Sequence, residues 1–341
     1  MLQNFQNQEI INGQNFSRIA DIVFAINIPI EDWINYDKNS YKIISKNDFY
    51  VGLKLKKLEV KNGDVIFCNS SYLDLLFKYL KRLKKINTLT LITGQSDISI
   101  TEKIFSNKPK NITKWFAVNV EYNNPDLIPI PLGLANNYSP KNLRIQDFKN
   151  FTSQKVIKEN KLYINLRTST NLKEREYIKN IFINQNWVVI KEPNLSIEEY
   201  LYDLQKYKFV LCPWGNGIDT HRMWETLYAG SIPITKYHIG LTFPNLPIIT
   251  VNSFKDLNIE FLISESKKLS HDLNQLNLTY WEKLIKQPNL LESVDIELIK
   301  EISVLELLYW NKIKIKKFFS SKLKKIKYYL KKILKILNYF L

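Results

Sequence analysis

The sequence predicts an α/β protein in which two Rossmann-like domains face a cleft, followed by a basic amphipathic helix. Three observations lead there. Short apolar runs alternate with helix-length segments, as in a parallel sheet covered on both faces. The alternation stops at a polar stretch and then restarts, which doubles the unit. The last thirty residues set lysines around an apolar stripe.

In the first half, Asp21-Ile-Val-Phe-Ala-Ile26, Asp64-Val-Ile-Phe-Cys68, Thr88-Leu-Thr-Leu-Ile-Thr93, Trp115-Phe-Ala-Val-Asn-Val120 and Leu127-Ile-Pro-Ile-Pro-Leu132 read as strands. A helix is predicted over Ser71–Leu83. Residues 136–160 are polar, with Asn137, Pro140 and Asn142, and make the best connection between the halves. Beyond them come strand Leu162-Tyr-Ile-Asn165, a helix near Leu172–Phe182, strand Trp187-Val-Val-Ile190, and a helix opened by the capping box Ser196-Ile-Glu-Glu199. The predicted domains are 1–140, a linker 141–160, a second domain 161–305 and a tail 306–341. One more strand, Pro247-Ile-Ile-Thr-Val251, precedes helices expected over most of 253–310.

The richest segment is Phe209-Val-Leu-Cys-Pro-Trp-Gly-Asn-Gly-Ile-Asp-Thr-His-Arg-Met-Trp-Glu-Thr-Leu-Tyr-Ala-Gly-Ser-Ile-Pro-Ile-Thr235. A short apolar strand ends at Pro213, and Gly215, Asn216 and Gly217 follow as a loop suited to positive φ and close backbone approach. Asp219 or Thr220 can cap the next helix, and Gly230 stands where a C′ glycine closes it. Pro233 argues for an edge strand or a strand start. A helix N-terminus carries about half a positive charge and unpaired N–H groups, so this unit favours a phosphate. His221 and Arg222 add donors in the first turn, and Glu225, a turn later, suits the paired hydroxyls of a ribose.

These residues resemble the C-terminal signature of exostosin-type glycosyltransferases and their small microbial relatives. The resemblance covers 208–235 closely and 88–235 loosely. It implies the two-domain GT-B architecture and a sugar nucleotide as donor, with Arg222 and Glu225 on its diphosphate and ribose. The chain is far shorter than animal exostosins and shows no signal anchor at its N-terminus, so the sugar-transfer half of the family picture is what carries over.

Arg167, at the carboxyl end of the strand from Leu162, is either a second diphosphate contact or a solvated loop arginine. Asp97 follows the third strand in Thr93-Gly-Gln-Ser-Asp97, and reads either as the base for an acceptor hydroxyl or as a turn or cap aspartate. Asn119 and the Gly133–Asn136 loop are further acceptor-wall candidates, and Trp214 could stack on a base or sugar. Cys212 reads better as a small buried hydrophobe than as a nucleophile.

Metal use is not expected. The nearest match to an Asp-x-Asp turn is Asp295-Ile-Glu297, in helix-like sequence, and three histidines offer no zinc spacing. No cofactor is called for beyond the nucleotide-sugar substrate. Two cysteines argue against a disulfide framework and for a reducing cytoplasm.

The net charge of +16 suggests nucleic acid, but eleven lysines lie between Lys312 and Lys335, and removing them leaves +5. Phe319, Leu323, Ile326, Leu330, Ile333, Leu337 and Phe340 form the apolar stripe between them. No acidic residue follows Glu306. Segment 312–341 is therefore expected on an anionic membrane surface, ahead of oligomerisation or RNA binding. Taken together, the expected protein moves a sugar from a nucleotide diphosphate to a glycan or lipid-linked glycan acceptor. Its setting would be cell-surface polysaccharide or lipopolysaccharide synthesis at the cytoplasmic face of the membrane. A nucleic-acid-binding protein using the lysine tail, and a non-catalytic transferase-like scaffold, are the alternatives.

Overall fold

The computed structural model describes residues 9–139, 142–150, 156–270, 272–287, 296–300, 306–315, 319 and 322. Its first sheet contains β1 (Ile22–Pro29), β2 (Tyr41–Lys46), β3 (Tyr50–Leu55), β5 (Val65–Asn69), β6 (Leu89–Gly94), β7 (Ile112–Ala117) and β8 (Leu127–Pro129), in the order β2-β3-β1-β5-β6-β7-β8. The five strands from β1 to β8 in that order run parallel, whereas β3 pairs antiparallel with both β1 and β2. Every residue of β5 and β6 is buried, as expected of parallel strands covered on both faces.

The second sheet contains β9 (Glu159–Ile164), β10 (Val188–Ile190), β11 (Tyr207–Leu211), β12 (Ile232–Lys236) and β13 (Ile249–Val251), all parallel, in the order β10-β9-β11-β12-β13. The helices with named bounds are α1 (Gly13–Phe16), α2 (Leu73–Leu80), α3 (Glu102–Phe105), α4 (Ile145–Asn150), α5 (Leu172–Phe182), α6 (Ile197–Lys206), α7 (His221–Tyr228), α8 (Ile259–Ser266) and α9 (Leu278–Ile285). The molecule is thus α/β with two Rossmann-like sheets. The capping box of α6 is formed: Ser196 Oγ accepts from Glu199 N–H at 3.2 Å, and the Glu199 carboxylate accepts from Ser196 N–H at 2.8 Å.

Several expectations change on contact with the packing. The hairpin β2–β3 is unforeseen, because Lys42, Lys54 and Gly52 hide its alternation. Lys54 is wholly buried, its ammonium held by Glu306. Strand β7 stops at Ala117 rather than Val120, since Asn119 takes φ +57. Pro233 is not on an edge: β12 lies between β11 and β13. Pairing with β13 begins only at Ile234, so the missing N–H falls before that partner arrives.

Contacts also cross the expected domain limits. Part of the expected linker is ordered, with α4 inside it and Leu143 buried. The region expected to be helical over 253–310 contains a strand, β14 (Ile296–Lys300), which pairs antiparallel with β4 (Lys57–Lys61) of the first half. Leu278 N–H likewise donates to Glu9 O at 2.7 Å. The chain therefore returns to its first domain before residue 305. From residue 316 onward, all but Phe319 and Lys322 of the predicted tail lies outside the described residues.

Each sheet has an apolar cluster on its outer face, but the largest cluster spans both sheets. Ile92, Phe116 and Leu134 from the first half join Tyr163, Val210 and Trp224 from the second. Burying each such side chain contributes about 1.5–3 kcal/mol, so the two halves are held together by core packing and not only by their connection. Tyr228 reinforces the seam, accepting from Ile11 N–H at 2.9 Å and donating to Leu276 O at 2.7 Å.

Gly133 sits on this seam at φ +71, where an added Cβ would overlap the Ile11 carbonyl. Gly63, at φ +88, faces open space. Gly133→Ala should therefore cost roughly 2–5 kcal/mol, through strain and overlap together. Gly63→Ala should cost about 1–2 kcal/mol from strain alone. Equal denaturant midpoints for the two variants would contradict this account of the seam.

Candidate active site

The carboxyl ends of β9 and β11 open onto a cleft of about 820 Å³ whose opposite wall comes from the first half. Such crevices at the carboxyl ends of parallel strands are where α/β sheets hold ligands. Asp97, Arg167, Gly215, Asn216, Gly217, Asp219, His221, Arg222 and Glu225 all line it. The structure thus gathers the predicted residues around one space, with Asp97 across from the rest.

The loop from β11 to α7 is built differently from the expectation. Neither Gly215 nor Gly217 has positive φ. Gly217 is needed for proximity, because a Cβ there would stand 2.9 Å from the Asn119 side chain, whereas Gly215 is under less pressure. Gly230 does take φ +77 behind the end of α7. Thr220 occupies the N-cap position without a side-chain cap bond; its carbonyl takes the Met223 N–H at 3.1 Å, and the N–H groups of His221 and Arg222 remain for a ligand.

Asp219 serves as a tie between the halves. Its Oδ2 accepts from Leu132 N–H at 2.8 Å and its Oδ1 from the Trp224 indole at 2.7 Å, while its own N–H donates to Asn119 Oδ1 at 2.9 Å. Both carboxylate oxygens are committed within the protein, which competes with the donor contact expected of it. His221 Nδ1 lies 2.8 Å from Gly133 O. A carbonyl only accepts, so Nδ1 carries the proton and Nε2 is the nitrogen left for a ligand. Asn119, an acceptor-wall candidate, is buried in this same network and also donates to Ser96 O at 3.4 Å.

The charged centre is formed by Arg222, Tyr200, Glu225 and Arg175. Arg222 donates to Tyr200 Oη at 3.1 Å and stands 5.5 Å over the Tyr200 ring. Tyr200 in turn donates to Glu225 Oε2 at 2.8 Å, and Glu225 Oε1 accepts from Leu143 N–H at 3.1 Å. Glu225 is 4% exposed, so its remaining lone pairs face the cleft from a nearly buried position.

Arg175, on α5, was not foreseen. It is 7% exposed and donates to Arg167 O at 2.6 Å and Trp214 O at 3.3 Å, yet its buried Nε has no partner. Burial, and then repulsion from Arg222, push its guanidinium down to about 10, against a smaller pull from Glu174. Among the described residues neither Arg175 nor Arg222 has a carboxylate within ion-pair distance. A buried guanidinium beside a half-buried one at the same cleft calls for an anion. In Leu172-Lys-Glu-Arg-Glu-Tyr177 the arginine looks like part of a solvated charged face; only burial separates it from its neighbours. Tyr200 carried no sequence signal either.

Asp97 is exposed and makes no protein hydrogen bond among the described residues; the next helix begins at Glu102 with Thr101 as its cap. Its loop is pinned by Gln95, which accepts from Asn27 N–H at 2.9 Å and donates to Asn27 O at 3.1 Å. On the same wall lie Phe49, Tyr50 and Tyr138, aromatic residues that the sequence did not single out, with the two tyrosine rings 5.2 Å apart. Arg167 reaches the cleft from an exposed position, and its carbonyl holds Arg175.

Two further candidates change role. Trp214 packs at the edge of the core against His238, ring centroids 5.3 Å apart, and contributes its carbonyl rather than its ring. Burial pushes the Cys212 thiol up to about 12, and its Sγ donates to Val210 O, so it is no nucleophile at neutral pH.

No family model and no curated protein sequence matches the chain. Among solved structures it is similar to a crystal structure of a GtfA/B complex, with 12% identity, a TM-score of 0.35, and coverage of 67% of this chain and 56% of that one. It is also similar to a crystal structure of an alpha1,3-fucosyltransferase, with 13% identity, a TM-score of 0.29, and coverage of 68% and 71%. The chain thus spans little more than half the length of the GtfA/B chain. Neither likeness carries the assignment, which rests on the cleft.

Asp219 provides a test of the seam beneath that cleft. Burial raises its carboxyl to about 7, against the Leu132, Trp224 and Thr220 donors that pull it down. With the folded pKa above its ordinary 3.8, the stability it contributes is fully present below about pH 3.8 and is lost as pH rises through 7. Asp219→Asn leaves one donor without an acceptor and should cost about 1–3 kcal/mol in acid. The gap to the unsubstituted protein should narrow between pH 4 and 8 in denaturant titrations; a gap that stays constant or widens would refute the assignment.

Proposed function

We propose that the protein is a metal-independent glycosyltransferase of the GT-B type, moving a sugar from a nucleoside diphosphate to a glycan acceptor. The supporting observation is the pair formed by buried Arg175 and half-buried Arg222 at one interdomain cleft, without a carboxylate on either, beside the start of α7. A diphosphate supplies the two negative charges this arrangement lacks. Glu225, which already receives Tyr200 and Leu143, has acceptor capacity left for a ribose hydroxyl.

In the reaction, the acceptor hydroxyl attacks the anomeric carbon and its proton passes to Asp97. The bond from that carbon to the diphosphate oxygen breaks, and the electron pair stays on the diphosphate. Arg222, Arg175, Arg167, His221 and the first-turn N–H groups of α7 stabilise that growing charge, a preorganised electrostatic role that needs no divalent ion. The Gly215-Asn216-Gly217 loop brings the backbone close to the phosphates. Phe49, Tyr50 and Tyr138 give the acceptor wall apolar faces suited to sugar rings. The acceptor is placed on a lipid carrier at the cytoplasmic face of the membrane, in cell-surface polysaccharide or lipopolysaccharide synthesis. No helix among the described residues is long and apolar enough to cross a membrane, and the proposed association is peripheral.

Calorimetric titration with uridine and guanosine diphosphates tests the donor site. One of them should bind, and Arg175→Gln, Arg222→Gln and Glu225→Ala should each weaken it tenfold or more, since a charge-assisted hydrogen bond contributes about 1.5–3 kcal/mol. Unchanged affinity in both arginine variants would remove the diphosphate reading.

With the donor found by thermal-shift screening of sugar nucleotides, Asp97→Asn should lower kcat by about 10²–10⁴ while donor affinity stays constant. Turnover should also be unaffected by excess chelator. Loss of activity on chelation would sink the metal-independent mechanism, and full activity of Asp97→Asn would sink the base.

A further inference from the structure

Residues 306–315 form a helix that rests on the first domain. Glu306 is 4% exposed; its Oε2 binds Lys42, and its Oε1 binds the fully buried Lys54 and accepts from Tyr79 Oη at 2.8 Å. Tyr309, also buried, donates to Ser71 O at 2.6 Å, and the Trp310 ring lies 6.2 Å from that of Tyr72. Together with Ile313, these residues make one apolar face, and it is satisfied by the domain beneath.

The other face also carries exposed apolar side chains, beside Asn311 and Lys312. Leu308 and Ile315 are each 57% exposed, Leu307 is 62% exposed and Phe319 is 60% exposed. At ~100° per residue, Leu308 and Ile315 point ~180° away from the side formed by Glu306 and Ile313. A helix docked through one stripe ordinarily turns charged residues to water, so a second exposed apolar stripe marks a contact with something else.

The spacing identifies what continues it. Positions 308, 315 and 319 run in the same steps of seven, four and three as Leu323, Ile326, Leu330, Ile333, Leu337 and Phe340. The stripe read in the tail therefore begins on the ordered, docked helix. Around it lie eleven lysines between Lys312 and Lys335, with no acidic residue after Glu306. A second copy of the same helix would bring lysine against lysine, whereas anionic headgroups complement the charge and accept the apolar stripe beneath them.

We propose that Leu308 and Ile315 face an anionic phospholipid surface, and that the Glu306 cluster fixes the first domain, with its half of the cleft, at a set orientation to that surface. This rests on the peripheral-membrane part of the function proposed above and is independent of the donor chemistry.

The test uses the full chain and vesicles of phosphatidylglycerol with phosphatidylcholine, or of phosphatidylcholine alone, in a flotation assay. The unsubstituted protein should float with the anionic vesicles only. The double variant Leu308→Glu, Ile315→Glu should lose at least tenfold in vesicle affinity, whereas Leu308→Met, Ile315→Met should retain it. Both variants alter exposed side chains, so their melting temperatures and nucleoside diphosphate affinities should match the unsubstituted protein. Flotation of the glutamate variant like the unsubstituted protein would overturn the proposal. So would a dimer that this variant converts to monomer in sedimentation, or lysine-tail binding to RNA that displaces vesicles without sensitivity to these two positions. Loss of diphosphate binding with vesicle binding intact would count against the transferase and leave this surface standing.

Discussion

The loop entering α7 is fastened to the wall it faces, and the geometry of the cleft follows from that fastening. Asp219 receives Leu132 N–H, Asn119 receives Asp219 N–H, His221 donates to Gly133 O, and Glu225 receives Leu143 N–H. Each bond runs from the second half to segments that follow β7 and β8, in the first half or the start of the linker. Most of these groups are buried, so none can be released without leaving a polar atom unpaired. The requirement propagates into the backbone. Asn119 takes φ +57 to turn its side chain to the loop, Gly217 makes room for that side chain, and Gly133 takes φ +71 against Ile11. Three separate sequence oddities thus answer to one seam.

A fixed seam has an electrostatic consequence. Flexible walls would let Arg175 and Arg222 move apart or swing into water, relieving their repulsion. Here Arg175 is held by two carbonyls, those of Arg167 and Trp214, and Arg222 by the hydroxyl and ring of Tyr200. Carbonyls and a phenol orient a guanidinium without neutralising it. The cleft therefore keeps positive charge in place ahead of any ligand, which is the condition under which such groups stabilise developing negative charge most effectively. Glu225 sits one hydroxyl away from Arg222 through Tyr200, near enough to shape the field but not to cancel it by direct pairing.

How much of this the sequence disclosed depends on whether the signal was local. Strand β11, the Ser196 capping box and the α5 limits are written in neighbouring residues, and reading them placed nine candidate positions around a common space. What lay hidden required distant partners. Arg175 has the flanks of a surface helix and is exceptional only because Arg167 and Trp214 close over it. Asp219 looks like a cap and is instead claimed by Leu132, 87 positions away. Lys54 and Gly52 mask β3 as a polar segment because the carboxylate that makes Lys54 tolerable, Glu306, arrives 252 residues later. Burial of charge is decided by partners, and partners across the chain leave no periodicity.

That late arrival also gives the end of the chain a mechanical meaning. Strand β14 and the 306–315 helix return to the first domain, so whatever contacts the outward side of that helix acts directly on the domain carrying Asp97, and on the wall carrying the arginines only through the seam. A lysine in a fully buried position has a charged form disfavoured by desolvation, which Glu306 offsets, and the same pair ties the 306–315 helix to β3. Replacing the cluster with apolar residues of equal size could preserve stability, as buried ion pairs often allow. It would lose the directional anchoring of one helix register over another. Under the function proposed above, that register matters more than the stability. An acceptor carried in a membrane approaches from one side, and a transferase whose acceptor wall is rigidly joined to its lipid-facing helix presents Asp97 to that side without a search over orientations.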